Sequence, residues 1–329
     1  MLTKLDLVPR RAVTQDKNRV VIITDCDKPA AAERVRLMLG ECRVPGSLFA
    51  ELVSFAAHEA RVDLRALSVR TLLHLPRVAT SSGRVSMTQI ERELSHGARL
   101  LRRDTAAASY LIPNRKLALQ ELMFVEDFDT ATADKLFSSL HYLRSARSGS
   151  RNFALVNPMD GRPVTICSVS PLKWEKVGKW IYAQFGILPE AIWDVSRVYS
   201  CDAAPPNAIS FLLKRVRSSL GRSAKTITLL TTAVDPNLGF TGSSYRASGW
   251  QCWLTVQPRP YLYQDRRYAS PRQLQERFGT SNLARLKAQH PNHRFENSHC
   301  RLLDSLIFCC RISGKTEATP PGSQHRLHR

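Results

Sequence analysis

Asn207-Ala-Ile-Ser-Phe-Leu-Leu-Lys-Arg-Val216 and, after a short break, Lys225-Thr-Ile-Thr-Leu-Leu-Thr-Thr-Ala-Val234 decide the fold. In the first stretch Ile209, Leu212, Leu213 and Val216 recur at i, i+3, i+4 and i+7, the apolar stripe of an amphipathic helix. Lys214, Arg215 and Arg217 decorate its outer part, and Asn207 stands where an N-cap is needed. The second stretch is an apolar run centred on Thr-Ile-Thr-Leu-Leu and closed by Asp235-Pro236, which reads as a strand. A further strand, Ala191–Ser200, precedes the pair, with alternation at Ile192, Val195 and Val198.

Working outward, Asn157-Pro-Met-Asp-Gly161 is dense turn chemistry between two apolar runs, 152–156 and 163–169, and predicts a β-hairpin. Helices are expected over 134–144 and 174–185, the second stopped by Gly186. On the other side, Gly239-Phe-Thr-Gly242 turns into a short helix holding Tyr245, and 250–256 reads as a strand. The fold class is therefore α/β (α+β): a mixed central sheet flanked by helices, over 125–312. Residues 1–124 read as a mostly helical extension, with a strand at 20–24 and helices over 28–40, 48–75 and from Ser86 through Arg103. Its helices fit either a helix-turn-helix-like DNA module or an ordinary packing domain. The tail, 313–329, is polar, Pro- and His-rich, and expected to be disordered.

The chain has 329 residues, with 43% apolar and 23% charged side chains, which excludes a mostly disordered protein. No run approaches the roughly 18 apolar residues of a membrane span, and no apolar segment follows the charged N-terminus, so the cytoplasm is the expected compartment. The net charge is +20. Residues 151–329 carry 25 basic against 11 acidic side chains, a net of +14, and Arg outnumbers Lys. Such a field favours a polyanion, nucleic acid first. Eight cysteines form no CxxC pair and several sit in apolar runs, as reduced core thiols do. His290, His293, His299 and Cys300 are the one cluster to weigh as metal ligands, but their spacing is poor and no metal is expected.

Six short blocks follow one another in a fixed order: His141-Tyr142-Leu143, Ser196-Arg197-Val198, Asn207-Ala-Ile-Ser210, Asp235-Pro236, Gly239-Phe-Thr-Gly242 and Tyr245-Arg-Ala-Ser248. With the element order above, the chain resembles the Mom DNA-modification family, which has a GNAT-like (acetyltransferase-like) fold, over about residues 130–257. The resemblance implies a sheet that splays between its fourth and fifth strands around an acyl-CoA (acetyl-CoA) donor. It implies a transferase that alters adenine in DNA by carbamoylmethylation, protecting phage or mobile-element DNA from restriction. The family's functional positions fall on Arg197, Ser210, Asp235 and Tyr245, with Tyr142 a weaker match. Asn207 and Ser210 would then face the cofactor's pyrophosphate from the helix start. Asp235 would hold the adenine amine, Tyr245 would act as acid or stack on the base, and Arg197 would bind phosphate or developing negative charge.

One departure stands out: the glycine-rich pyrophosphate loop of acetyltransferases is replaced by Asp202-Ala-Ala-Pro-Pro-Asn207, whose two prolines remove two amide donors. Trp250, Trp253, Tyr261 and Tyr263 interleave with Arg246, Arg259, Arg266 and Arg267, a pattern suited to base stacking and phosphate binding, although Trp250 fits a core position better. The alternative reading is a non-catalytic DNA-binding protein that keeps the fold and serves anti-phage defence or DNA packaging.

Overall fold

The computed structural model describes residues 21–23, 73, 77, 84–224, 226–238, 240–298, 302, 304–313 and 325–327. The helix expected over 28–40 and, apart from Leu73, the one over 48–75, with any helix-turn-helix they would build, lie outside the described residues, as do His299 and Cys300. The chain divides into two compact units. One comprises residues 1–103, 237–239 and 258–303; the other comprises 104–236, 240–257 and 304–329.

The second unit is built on a mixed sheet. Its strands are β3 (Met123–Val125), β4 (Arg151–Val156), β5 (Pro163–Pro171), β6 (Ile192–Ser200), β7 (Leu229–Val234), β8 (Gln251–Val256) and β12 (Ser305–Arg311). The spatial order from one edge is β3-β4-β5-β6-β7-β12-β8. Of the tail, Ser313 and His325–Leu327 are described; the latter form β13, a short strand parallel to β8. Within the seven main strands every pairing is antiparallel except β6 with β7.

Both faces of this sheet are covered, so β5 is buried along nearly its whole length rather than on alternate residues. One face takes α4 (Ala208–Ser223), which lays Leu212, Leu213, Val216 and Leu220 on Phe153, Leu155, Cys167, Val169, Leu230 and Phe308. Two helices share the other face. α2 (Thr130–Ser139) covers Ala154, Val156 and Ile166 with Leu136 and Phe137. α3 (Glu175–Phe185) covers Leu229, Trp253, Leu254 and Ile307 with Val177 and Ile181. Each such buried side chain contributes about 1.5–3 kcal/mol.

Local chemistry sets the helix ends. Gly186, at φ +66°, sends its amide back to the Tyr182 carbonyl and ends α3 where the sequence placed the stop. The expected helix over 134–144 lies instead at 130–139. Asp129 caps it, accepting from the Thr132 amide at 2.7 Å, and at the far end His141 Nδ1 accepts the Leu143 amide at 3.2 Å and turns the chain away. Asn207 is at the start of α4, but in the left-handed region at φ +66° and without a side-chain capping bond. The strand expected from Lys225 begins at Leu229, after Thr228 has given its amide to the Ala191 carbonyl.

In the first unit β1 (Val21–Ile23) pairs in parallel with β2 (Arg84–Ser86), which leads into α1 (Met87–Ala107). The same unit contains β9 (Leu262–Gln264), β10 (Arg267–Tyr268), α6 (Pro271–Phe278), α7 (Leu283–Gln289) and β11 (Phe295–Asn297), which share a small core. Ala269, Leu274, Leu286 and Phe295 form that core. The β9–β10 hairpin tip, Asp265-Arg266, has φ of +50° and +64°, the twist a two-residue turn needs. Asp265 holds the tip by accepting the Arg294 amide at 2.9 Å and meeting His293 Nδ1 at 2.8 Å.

The turn into α5 (Ser243–Ala247) is packed without slack. Gly242 has φ +75°, and a Cβ there would fall on the Phe308 ring. Gly242→Ala is expected to cost more than about 2 kcal/mol, combining left-handed strain with overpacking. Gly149→Ala, at φ +73° with nothing within 4 Å, should show only the strain, about 1–2 kcal/mol. Thermal melting of both variants checks the difference.

Candidate active site

The parallel pair β6–β7 is short. Ile192, Trp193 and Asp194 pair with Leu229, Leu230 and Thr231, and there the ladder stops although both strands run on. A bulge on β6 accompanies the parting: Val195 and Arg197 oppose Val169 and Ser168, leaving Ser196 as the extra residue. Two threonines of β7 bridge back to β6 by their side chains. Thr231 Oγ1 donates to the Trp193 carbonyl at 3.3 Å and Thr232 Oγ1 to that of Val195 at 3.0 Å. This is the splay between the fourth and fifth strands of the unit that the resemblance implied.

A cavity of about 210 Å³ opens at this parting, on the sheet face that α3 covers. Arg147, Lys173, Trp174, Asp194 and Thr231 are among its walls. Asp194 keeps 18% of its side chain exposed, and Arg147 Nη1 meets its Oδ2 at 3.3 Å. Arg147 also donates to the Pro171 carbonyl at 3.1 Å, so the α2–β4 loop is tied to the sheet. Burial pushes the Asp194 carboxyl up to about 6, against the pull of Arg147, Arg197 and the Thr231 hydroxyl.

On the opposite face Tyr245 packs into the core beside α4. Its ring stacks on Phe308 at 5.8 Å and meets Trp250 edge-on at 5.3 Å. Its hydroxyl lies 3.4 Å from Thr232 Oγ1. Thr232 has a single proton and a nearer acceptor in Val195, so that proton serves one of the two. Burial pushes the phenol up to about 12, which keeps it protonated and a donor.

The other residues singled out in the sequence are placed as follows. Arg197 donates to the Ser145 carbonyl at 2.9 Å, to Ser145 Oγ at 3.1 Å and to the Ser196 carbonyl at 2.6 Å, and so holds the loop after α2. Tyr142, in that loop, lies against His141 and Phe240. Asp235 ends β7 at a half-buried position. Asn207 and Ser210 flank the start of α4, where the Pro205 carbonyl takes the Ala208 amide at 3.3 Å. Arg246 is exposed over the Phe308 ring and donates to the Thr241 carbonyl. All of these belong to the second unit, whereas Arg259, Arg266 and Arg267 belong to the first.

Trp250 is in the core, as its reading favoured, but the aromatic surface expected from Trp253, Tyr261 and Tyr263 is largely overturned. Trp250, Trp253 and Tyr263 are buried, and the Tyr263 hydroxyl donates to the Leu73 carbonyl at 2.6 Å. Alternation along β8 and β9 turned them into cores, where their area contributes to stability. Among the described residues no group of His, Cys, Asp and Glu is arranged to hold a metal ion, and His293 is engaged with Asp265. Cys167, Cys201 and Cys309 are buried free thiols, and Cys310 is buried as well. No helix among the described residues is long and apolar enough to cross a membrane.

Asp194, Arg147 and the two threonines were not among the sequence candidates. The available signal was a carboxylate inside the strand Ile192-Trp193-Asp194-Val195, where water cannot easily solvate it.

Because the folded carboxyl titrates near 6 rather than 3.8, the native state holds its proton more tightly than the unfolded chain does. Stability therefore falls as pH rises from about 4 to above 6, by at most about 3 kcal/mol from this group. Asp194→Asn removes that cost. Its melting temperature at pH 8 should equal or exceed wild type, and the advantage should shrink by pH 4.5; melts at the two pH values check this.

Comparison with solved structures finds a nourseothricin acetyltransferase at 12% identity and TM-score 0.27, covering 50% of this chain and 67% of that one. It also finds a structure described as an acetyltransferase of Sphaerobacter thermophilus DSM 20745, at 13% identity and TM-score 0.25, covering 64% and 88%. No curated protein matches. The Mom protein family model matches residues 122–308, from the sheet's first strand into β12. That match covers more than half of the chain, which belongs to the Mom protein family, a DNA-modification family.

Proposed function

We propose that the protein is a DNA-modifying transferase that alters adenine, of the carbamoylmethylation type, with an acyl-CoA as donor and protection of DNA from restriction as its role. The observation that carries this reading is the parting of β6 and β7 with Tyr245 behind it, in a chain of the Mom family. A splayed parallel pair leaves room for a linear thioester arm, and the start of α4 follows directly from the open end of β6. The first-turn amides there suit a diphosphate, and the Asn207 side chain does not cap them. Pro205 and Pro206 leave fewer amides than a glycine loop offers, so the residues fit the arm of such a donor better than its diphosphate.

Tyr245, held protonated, would give a hydrogen bond or proton to the group leaving the donor. Asp235, ending β7 ten positions earlier, would accept from the substrate amine. Arg197 would act by holding the Tyr142 loop over the site. Arg246 in the second unit, and Arg259, Arg266 and Arg267 in the first, would bind DNA phosphates. The two prolines favour the second reading, a DNA-binding protein that keeps the fold without the chemistry.

Nucleoside mass spectrometry of DNA from expressing cells separates the two. A mass-shifted deoxyadenosine is expected; unmodified DNA beside tight DNA binding would give the second reading. Tyr245→Phe should lower modification about 10²–10⁴-fold while costing no more than about 1.5 kcal/mol of stability. Full modification by that variant would remove the acid role. DNA affinity should fall about a thousandfold between 50 and 200 mM salt if six phosphates are contacted.

A further inference from the structure

In the first unit, α6 and α7 are joined by four residues, Gly279-Thr280-Ser281-Asn282. Gly279, at φ +70°, ends α6 by returning its amide to the Gln275 carbonyl. Thr280 is buried, and its hydroxyl accepts the Asn282 amide at 3.1 Å. Asn282 caps α7, accepting the Ala284 and Arg285 amides at 3.0 and 3.1 Å. Two short helices around a four-residue turn that holds a glycine are the frame of a helix-turn-helix.

The two faces of α7 differ. Leu286 is in the core with Leu283 half-buried beside it, whereas Ala284, Arg285, Lys287, Ala288 and Gln289 are exposed. Residues 258–303 carry 9 basic against 3 acidic side chains, a net of +6. All three acids are taken. Asp265 is held by His293 and the Arg294 amide, Glu276 by Arg272, and Glu296 by Arg77 and Arg294. Among the described residues Arg285 and Lys287 make no ion pair. The outer face of α7 is therefore positive without compensation and complements a polyanion.

The side chains on that face select the form of the polyanion. It carries no aromatic ring, so it offers nothing for unpaired bases to stack on. An A-form RNA duplex hides its bases in a groove that side chains cannot read. The major groove of B-form DNA, about 12 Å wide, admits a helix. Helical periodicity puts Ala288 at the crest of the face, opposite Leu286 and Leu283, with Ala284 one turn before it. Two alanines there let the backbone come close to base edges. Arg285 and Gln289 are four residues apart, about 6 Å along the axis, which matches about two base-pair steps. An arginine pairs bidentately with guanine and a glutamine with adenine.

We propose that α6, its turn and α7 form a helix-turn-helix that reads sequence in duplex DNA. Its second helix enters the major groove, with Arg285 and Gln289 on two neighbouring base pairs and Lys287, on the flank, at a phosphate. The inference rests on the reading of DNA as the partner, and adds to it the surface that chooses the sequence.

The test is selection of bound sequences from randomised DNA duplexes by the full chain. Wild type should return a short motif. Arg285→Ala and Gln289→Ala should each relax one position of it, by about 5–150-fold, with much smaller loss on unrelated duplex. Lys287→Ala should weaken every duplex alike and lower the salt slope by about one. All three positions are exposed on a helix, where alanine is the best former, so the variants should melt like wild type. No motif in the wild type, a motif unchanged in both Arg285→Ala and Gln289→Ala, or tighter binding of single strands or RNA duplex would overturn the proposal. A motif read by Arg285 without modified DNA in cells would sink the transferase reading and keep this one. Modified DNA whose sites stay the same in Arg285→Ala and Gln289→Ala would do the reverse.

Discussion

The second unit is organised by a ladder that stops early. Parallel strands bond evenly along their length, and β6 and β7 have residues enough to continue, yet they pair over three positions only. Backbone groups released by such a parting must find other partners. Thr231 and Thr232 supply two of them, donating to the carbonyls of Trp193 and Val195. The bulge at Ser196 then turns β6 away, and the carboxylate of Asp194 is left at the fork.

The groups around the fork differ in how firmly they are held. Tyr245 is wedged between Phe308 and Trp250, with Gly242 admitting no side chain next to it. Arg197 and Arg147 both tie the loop between α2 and β4 to the sheet, one through Ser145 and one through Asp194 and Pro171. Two arginines whose type suggests phosphate binding are thus occupied with protein acceptors. A rigid fork with a pinned loop is what a site needs if it is to position groups rather than gather them.

The core of this fold was legible because its signals are local. The stripe Ile209, Leu212, Leu213, Val216, the turn 157–161 and the stop at Gly186 each depend on a few neighbouring residues. The helix over 130–139 was misplaced because its boundaries are set by side chains, Asp129 at one end and His141 at the other, which compete with helix propensity. The fork was less legible. Tyr245 and Asp235 stand in recognisable blocks, but Asp194 and Thr231 are 37 positions apart and meet only through the register of β6 on β7. The buried Trp253 and Tyr263 show the converse: a pattern of aromatic and basic residues reads as a surface until alternation assigns each ring a face.

One feature of the topology bears on how the sheet is made. After β8 the chain leaves for residues 257–304 and returns as β12, which inserts between β7 and β8. Until it returns, β7 and β8 each present an unpaired edge, and the unit's sheet is open down the middle. Closing so long a loop costs only about 2 kcal/mol more than a four-residue turn, because closure entropy grows with the logarithm of length. The heavier burden is one of timing on the ribosome: the strand that joins the two halves is synthesised after everything it joins, and the exposed edges must wait for it.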